Sequence, residues 1–527
     1  MQTYVEAELS AEERSVLGRH FTSIDGPVSV LVNLPETTRA ALFARYSRTA
    51  KPLKRVFLDE FHEPGDDAAA GAEVGGARAT DLFSRVLSDY GDDSVAQLAG
   101  VHVSCEQVSN LLTKVLERGR LMGYLEQSTR YVYYGDQPGG RYRYYRDQKI
   151  LDGPHAATYI EALDGLFDAY REVFEAVKAE LQAPIPADDG AARRAARAAA
   201  LDVARGLLPA ATVSNVGIFG SPQGYEQLIL RLRSHELPEA RAYAELLLAE
   251  LQKVIPDFLT RLNRPDRGGV WVDYRRERFD ALESAARELG VDAPESSAAV
   301  AGTRLLRWRE SAEDEIVANA LYPHSRLPLD QLAARVGELP EAERERLFVA
   351  SVGARRNRRH HPGREWEAAD YEFEVVSDYG SFRDLQRHRL LSIEWQRLGV
   401  DLGYEIPGEV VTAGCAATWR AAVERAEAAS GTIAESSPAQ ASYLVTMGHR
   451  VRYMMRMNAR EAMHLIELRS SPQGHPSYRR VAREMHALIR DVAGHRLVAD
   501  AMSFVNQDDV HLGRLEAERR SEPGVGS

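Results

Sequence analysis

Cysteine is nearly absent: Cys105 and Cys415 are the only two in 527 residues. That excludes a disulfide framework and a zinc site built on several thiolates, and it fits a reducing cytoplasm. Long apolar runs are missing too. The stretches at 40–44 and 246–249 fall far short of the ~18–20 residues that cross a bilayer. No basic-then-apolar leader opens the chain, because Glu6, Glu12 and Glu13 arrive at once. Positive charge is in deficit: 66 Lys and Arg against 78 Asp and Glu leave a net charge of −12. A general nucleic-acid binder needs a net basic face, so any anionic ligand must instead be held by local arginine clusters. No dinucleotide-binding glycine loop, phosphate loop or Gly-x-Ser-x-Gly elbow occurs. His360-His361 lacks a second spaced cluster, so no metal site is expected. These absences leave a soluble, acidic, cytoplasmic protein.

Helical periodicity dominates what is present. Apolar residues recur at 3/4 spacing over 35–48, 106–116, 159–181, 191–208 and 240–255, which predicts helices there. Strand candidates are short: 28–32, 100–104 and 371–376, the last alternating Tyr371, Phe373 and Val375 with Glu372 and Glu374. The expected fold class is a helix-rich α+β protein with small sheets. Residues 63–79 combine glycine, proline and few large apolar side chains, as a loop does. Past residue 300 the order of elements returns: 305–321 echoes 28–46, 371–389 echoes 100–120, and 458–469 echoes 221–233. A repeat of this length implies two tandem domains, because solenoid units run only ~20–50 residues. The expected boundaries are a first domain over 1–265, a linker over 266–300, a second domain over 301–515 and a flexible tail over 516–527.

The chemistry-bearing residues are arginines in unusual company. Arg387-His388-Arg389 ends one expected helix, and two guanidiniums beside an imidazole call for a polyanion or carboxylates between them. Asn458-Ala459-Arg460 is followed by His464, one helical turn beyond Arg460, and by Arg469. Glu126-Gln127-Ser128-Thr129-Arg130-Tyr131 alternates acceptor, hydroxyl and guanidinium on one side of an extended segment. The run Arg355-Arg356-Asn357-Arg358-Arg359 reads either as a phosphate clamp or as a solvated basic loop.

Together these motifs resemble the flavin-dependent thymidylate synthases, whose signature runs R-H-R-x-x-S-x-N-E-x-S-x-R. The first half, Arg118 to Tyr131, keeps the back of that signature but has Gly119 for the histidine. The second half, Arg387 to Arg397, keeps the front but has Arg397 for the signature serine, Glu394-Trp395 for N-E, and Asp384 for the glutamine usual three residues earlier. Downstream, the family carries an A-R-x-x-L-P segment and then N-A-R-S-L…L-R. Here Ala204-Arg205 to Pro209 supplies the first segment and Asn458 to Arg469 the second, while Ser442 and Ser221-Pro222-Gln223 stand at the lapsed counterparts. The two halves have lost complementary sets.

The resemblance implies a tandem pair of such domains forming a pseudo-dimer, and a homodimer of chains as a pseudo-tetramer. It implies reductive methylation of dUMP with methylene-tetrahydrofolate as carbon donor and FAD, reduced by NADPH, as hydride source. Carried over residue by residue, FAD falls to Arg387, His388, Arg389, Asn458, Arg460, His464 and Arg469. The nucleotide falls to Glu126, Gln127, Ser128, Arg130, Arg205 and Arg387, with Arg130 and Arg469 as catalytic residues and no metal. Two other readings stay open: a related C5 modification such as hydroxymethylation, and a non-catalytic flavin- or nucleotide-binding scaffold.

Overall fold

A computed structural model describes residues 9–25, 29–46, 51–62, 97–292 and 300–508, with Leu515 and Arg519. Seven strands organise it: β1 (Val101–Ser109), β2 (Met122–Glu126), β3 (Val213–Gly220), β4 (Gly302–Trp308), β5 (Asp370–Asp378), β6 (Ser392–Trp395) and β7 (Arg450–Asn458). Of the helices, α1 (Asn110–Leu116), α2 (Ala156–Gln182), α3 (Gly190–Ala204), α4 (Pro222–Arg233), α5 (Tyr379–Leu385), α6 (Ala459–Arg469) and α7 (Pro476–Asp491) carry the argument. The fold is α+β and helix-rich, as expected. No described helix is long and apolar enough to cross a membrane.

Contacts divide the chain into two compact units that cut across its halves. The first comprises 1–106, 121–126 and 215–292; the second comprises 107–120, 127–214 and 293–527. In the first unit, β2 pairs antiparallel with β3 from Met122↔Gly220 to Glu126↔Val216. Helix α4 packs beside Pro238–Leu251, and Arg261 holds the buried Glu226 through two bonds of 2.7 and 2.9 Å. In the second unit a four-stranded sheet runs β4-β5-β7-β6. Its period-two pattern is the one the sequence announces: Tyr371, Phe373 and Val375 of β5 are fully buried, as are Tyr453, Met455 and Met457 of β7. Helix α2 packs on α3 and on Ala416–Ala434.

Four strand-to-helix junctions repeat one device. Ser109, Ser221, Asp378 and Asn458 cap the helices that follow them, their side chains accepting from Leu112 N, Gly224 N, Ser381 N and Glu461 N. A short polar side chain there satisfies an N–H that has no intrahelical acceptor. The capped pairs sit at 109 and 378, and at 221 and 458, so the two repeats are legible in the backbone.

The second unit also contains a local twofold. Asn110 N donates to Thr212 O and Leu111 N to Ala210 O; the other half repeats this as Tyr379 N to His449 O and Gly380 N to Met447 O. Across the axis, Ala210 N meets Val445 O at 2.7 Å while Met447 N meets Leu208 O at 2.9 Å. Ala211 N meets Tyr443 O as Gly448 N meets Gly206 O. A Cβ on Gly448 would lie 2.9 Å from Gly206 O, so this crossing requires glycine.

Several expectations change. The helix expected over 106–116 starts only at Asn110, because β1 runs on to Ser109 before the cap turns the chain. At 28–32 the described residues make only an isolated bridge, Phe21↔Leu31. Residues 266–300 include a helix, Val270–Glu288, of which only Val272 is buried. The loop expected at 63–79 lies outside the described residues, as does the tail at 516–527 apart from Arg519.

Candidate functional site

Within the second unit, arginines from both halves converge on one carboxylate. Asp384 lies at the end of α5, three residues before Arg387, and the two side chains meet directly. Arg205, in the turn that follows α3, donates through Nη1 to Asp384 Oδ2 at 3.4 Å. Its Nη2 is buried and finds no hydrogen-bond acceptor among the described residues. Burial alone would push the Asp384 carboxyl up. The charges of Arg387, Arg205, Arg469 and Arg130 outweigh it and hold the group well below the usual carboxylate range.

Arg130 is more fully engaged than its motif suggested. Its Nε and Nη2 fork onto Asp202 at 2.8 and 2.7 Å, Nη1 donates to Tyr478 Oη at 2.8 Å, and Nη2 also donates to Gln473 O at 3.0 Å. The extended alternation expected for 126–130 is not what forms. Tyr131 N and Val132 N both donate to Ser128 O and Arg130 N donates to Ser128 Oγ, so the segment turns. Gln127 offers its carbonyl to Ser214 Oγ. Glu126 ends β2 in the first unit, whereas Gln127, Ser128 and Arg130 belong to the second.

A second chain of contacts starts at Arg469. Its Nε donates to His388 Nε2 at 2.9 Å, and His388 Nδ1 lies 3.0 Å from Glu461 Oε1. The guanidinium also sits over the Tyr478 ring, 5.5 Å from its centroid, on a ring that Arg130 approaches at 5.7 Å. Burial, then the charges of Arg469 and Arg387, press the His388 pKa well below its ordinary value. Burial likewise lowers His464 and raises Glu461. His464 packs edge-on against both His388 and His361. The donor atoms of His388, Glu461 and His464 lie within 4.8 Å of one another, a proximity the sequence had not led us to expect.

The remaining candidates fall outside the cluster. Asn458 spends its side chain as the α6 cap, Arg460 donates to Pro362 O at 3.0 Å, and Arg389 is exposed. Arg355 is no free clamp: it forks onto the buried Glu467 at 2.6 and 2.7 Å. The lapsed R-x-R of the first half is occupied as well, since Arg118 pairs with Glu394 and Arg120 donates to Ser392 Oγ at 2.8 Å. Sequence reasoning missed Asp202, Tyr478 and Glu461 and counted Asp384 only as a departure. The i,i+3 spacing of Asp384 and Arg387 was the available signal.

The chain is similar to known proteins over most of its length. A family model described as thymidylate synthase complementing protein matches residues 34–257 and 306–494. A UPF0159 protein of Chlamydia muridarum is 36% identical over 526 residues, covering 98% of this chain and 99% of the relative. One from Chlamydia pneumoniae is 36% identical over 530 residues with the same coverage. One from Thermoplasma acidophilum is 31% identical over 526 residues, covering 93% of this chain and 99% of the relative. The chain therefore belongs to the thymidylate synthase complementing protein family, the flavin-dependent thymidylate synthases, and carries that family's domain twice in tandem.

Proposed function

We propose that this chain catalyses FAD-dependent reductive methylation of dUMP, with methylene-tetrahydrofolate and NADPH as co-substrates. One composite site would form per chain, and a homodimer would hold two FAD. The observation that carries the reading is the charge imbalance at Asp384. The charges of Arg387, Arg205, Arg469 and Arg130 all act on Asp384, and Arg205 keeps a buried N–H without an acceptor among the described residues. An unsatisfied buried donor costs ~1–3 kcal/mol, which an anionic ligand would recover. Arg205 is thus the better candidate for the nucleotide phosphate. Arg130, forked onto Asp202, holds the scaffold around it.

The donor set also fits the flavin. Arg387 keeps 35% of its side chain exposed and Arg389 is exposed, so both guanidiniums would be within reach of a diphosphate from solvent. When bound, FAD would supply the hydride. The protein's own contribution is electrostatic. Arg469, half-buried beside Asp384 and Tyr478, would balance negative charge that develops on a uracil oxygen as C5 becomes nucleophilic.

The test is purification in the presence of FAD, flavin quantitation, and conversion of dUMP followed by product mass. Arg205→Ala is expected to weaken dUMP binding by roughly ten- to hundredfold while retaining flavin, and Arg389→Ala to lose flavin. A colourless protein that takes up no FAD and binds no dUMP would refute the assignment. A product heavier than dTMP by one oxygen would move it to hydroxymethylation.

A further inference from the structure

Glu461 stands where the family pattern N-A-R-S-L has serine, and it is buried with His388 as its side-chain partner. We propose that Glu461 is a positioning residue: it fixes the tautomer of His388 and, through that ring, the orientation of Arg469. The argument is one of donors and acceptors. A guanidinium has no lone pair, so at 2.9 Å from Arg469 Nε the Nε2 atom of His388 must accept. A neutral imidazole then carries its proton on Nδ1, and that N–H points at Glu461 Oε1, 3.0 Å away.

The same logic removes a competing use of these residues. A divalent cation held by His388, Glu461 and His464 would need the Nδ1 lone pair. The ring proton would move to Nε2 and face the Arg469 N–H, donor against donor. The groups facing the ring are Glu461, His464 and Arg469 from α6, with Arg387 and Asp384 from the end of α5. The cationic ones among them further disfavour a metal. Glu461 therefore belongs to a relay that ends on Arg469, whose guanidinium lies over the Tyr478 ring. Its consequence for anion binding rests on the function proposed above; the tautomer does not.

The experiment is long-range 1H–15N correlation on the full chain labelled at histidine nitrogens, with His388 assigned by its loss in His388→Gln. Wild type is expected to show His388 protonated at Nδ1. Glu461→Gln, whose amide oxygen can still accept, should keep that signature, and Glu461→Ala should lose it. Calorimetry with inorganic phosphate supplies the second arm. Glu461→Ala and Arg469→Ala should each weaken binding roughly tenfold, and the double variant no further. His388 protonated at Nε2 in wild type, losses that simply add, or a Zn2+-induced change at His388 that vanishes in Glu461→Gln would each overturn the proposal. If Glu461→Ala does not fold, the wild-type and Glu461→Gln spectra still decide it. Failure of wild type to bind phosphate or dUMP would sink the nucleotide reading and leave the tautomer result standing.

Discussion

Asp384→Asn isolates the electrostatics on which the site depends. The substitution keeps the shape of the side chain and removes one negative charge from among four arginines. Asp384 is buried, with only 7% of its side chain exposed, so solvent screens little of the change. Breaking a buried charge pair from one side typically costs ~3–5 kcal/mol, because the partner charge is left uncompensated. The loss here should lie in that range, read from urea denaturation at neutral pH. Phosphate should then restore part of it, since an anion bound only by the folded state adds RT ln(1 + [L]/Kd), about 2.7 kcal/mol at 100-fold excess over Kd. The restoration should be larger for Asp384→Asn than for wild type. The pH dependence has a definite sign. The folded-state pKa is depressed, so the carboxylate's contribution is fully present above the unfolded value of ~3.9 and fades only as pH falls through the folded one. The gap between wild type and variant should therefore stay constant from neutral pH down to about 4 and close in stronger acid. Equal stability of the two proteins, or equal stabilisation by phosphate, would refute the account of Asp384 as the counter-charge of the cluster.

Two further outcomes are expected. His475 caps α7 with Nδ1 and directs Nε2 at Asp202 O, and burial, then the charge of Arg205, lowers its pKa to about 4. Because the unfolded chain binds the proton first, stability is fully present above ~6.5 and declines as pH falls toward 4. His475→Asn, which can still cap, should flatten that limb, and an unchanged pH profile would count against it. Arg355→Ala strands Glu467, whose side chain is fully buried, and should lose ~3–5 kcal/mol with phosphate affinity unaffected. Weakened phosphate binding in a folded Arg355→Ala protein would revive the clamp reading.

Much of the fold was legible because it rests on local rules. The alternation at 371–376 became β5, the periodicity at 159–181 became α2, and the echo of 100–120 in 371–389 reappears as two strands that end in capped helices. The site was legible in its cations and not in its anions. Arg130 and Arg205 stand in short recognisable motifs, but their carboxylates come from 72 and 179 residues away. Periodicity carries no information over such spans, and only the twofold crossing of 206–212 with 443–449 brings the segments together. The error over 126–130 has a different origin. Alternating polar residues predict one exposed edge only while the chain stays extended, and Ser128 diverts it by taking the next backbone N–H groups onto its own oxygens.

The same twofold explains why complementary loss was tolerated. Several charged residues of the site have a repeat-equivalent at which the charge is gone, while Arg387 answers to Arg118, whose charge is kept and met by Glu394. Arg205 answers to Ser442, Asp384 to Val115, His388 to Gly119 and Glu461 to Gly224, at the offsets fixed by the two pairs of helix caps. Removing one arginine from a buried cluster strands its carboxylate, but removing arginine and aspartate together leaves nothing uncompensated. The equivalent place is consistent with that. Val115 is buried, Ser442 Oγ donates to Leu398 O at 2.7 Å, and Lys114, the equivalent of Arg383, is neutralised by Glu117 at 2.6 Å. There the charge is balanced without a ligand. At Asp384 the charges of Arg387, Arg205, Arg469 and Arg130 converge, and Arg205 keeps a buried N–H without an acceptor among the described residues.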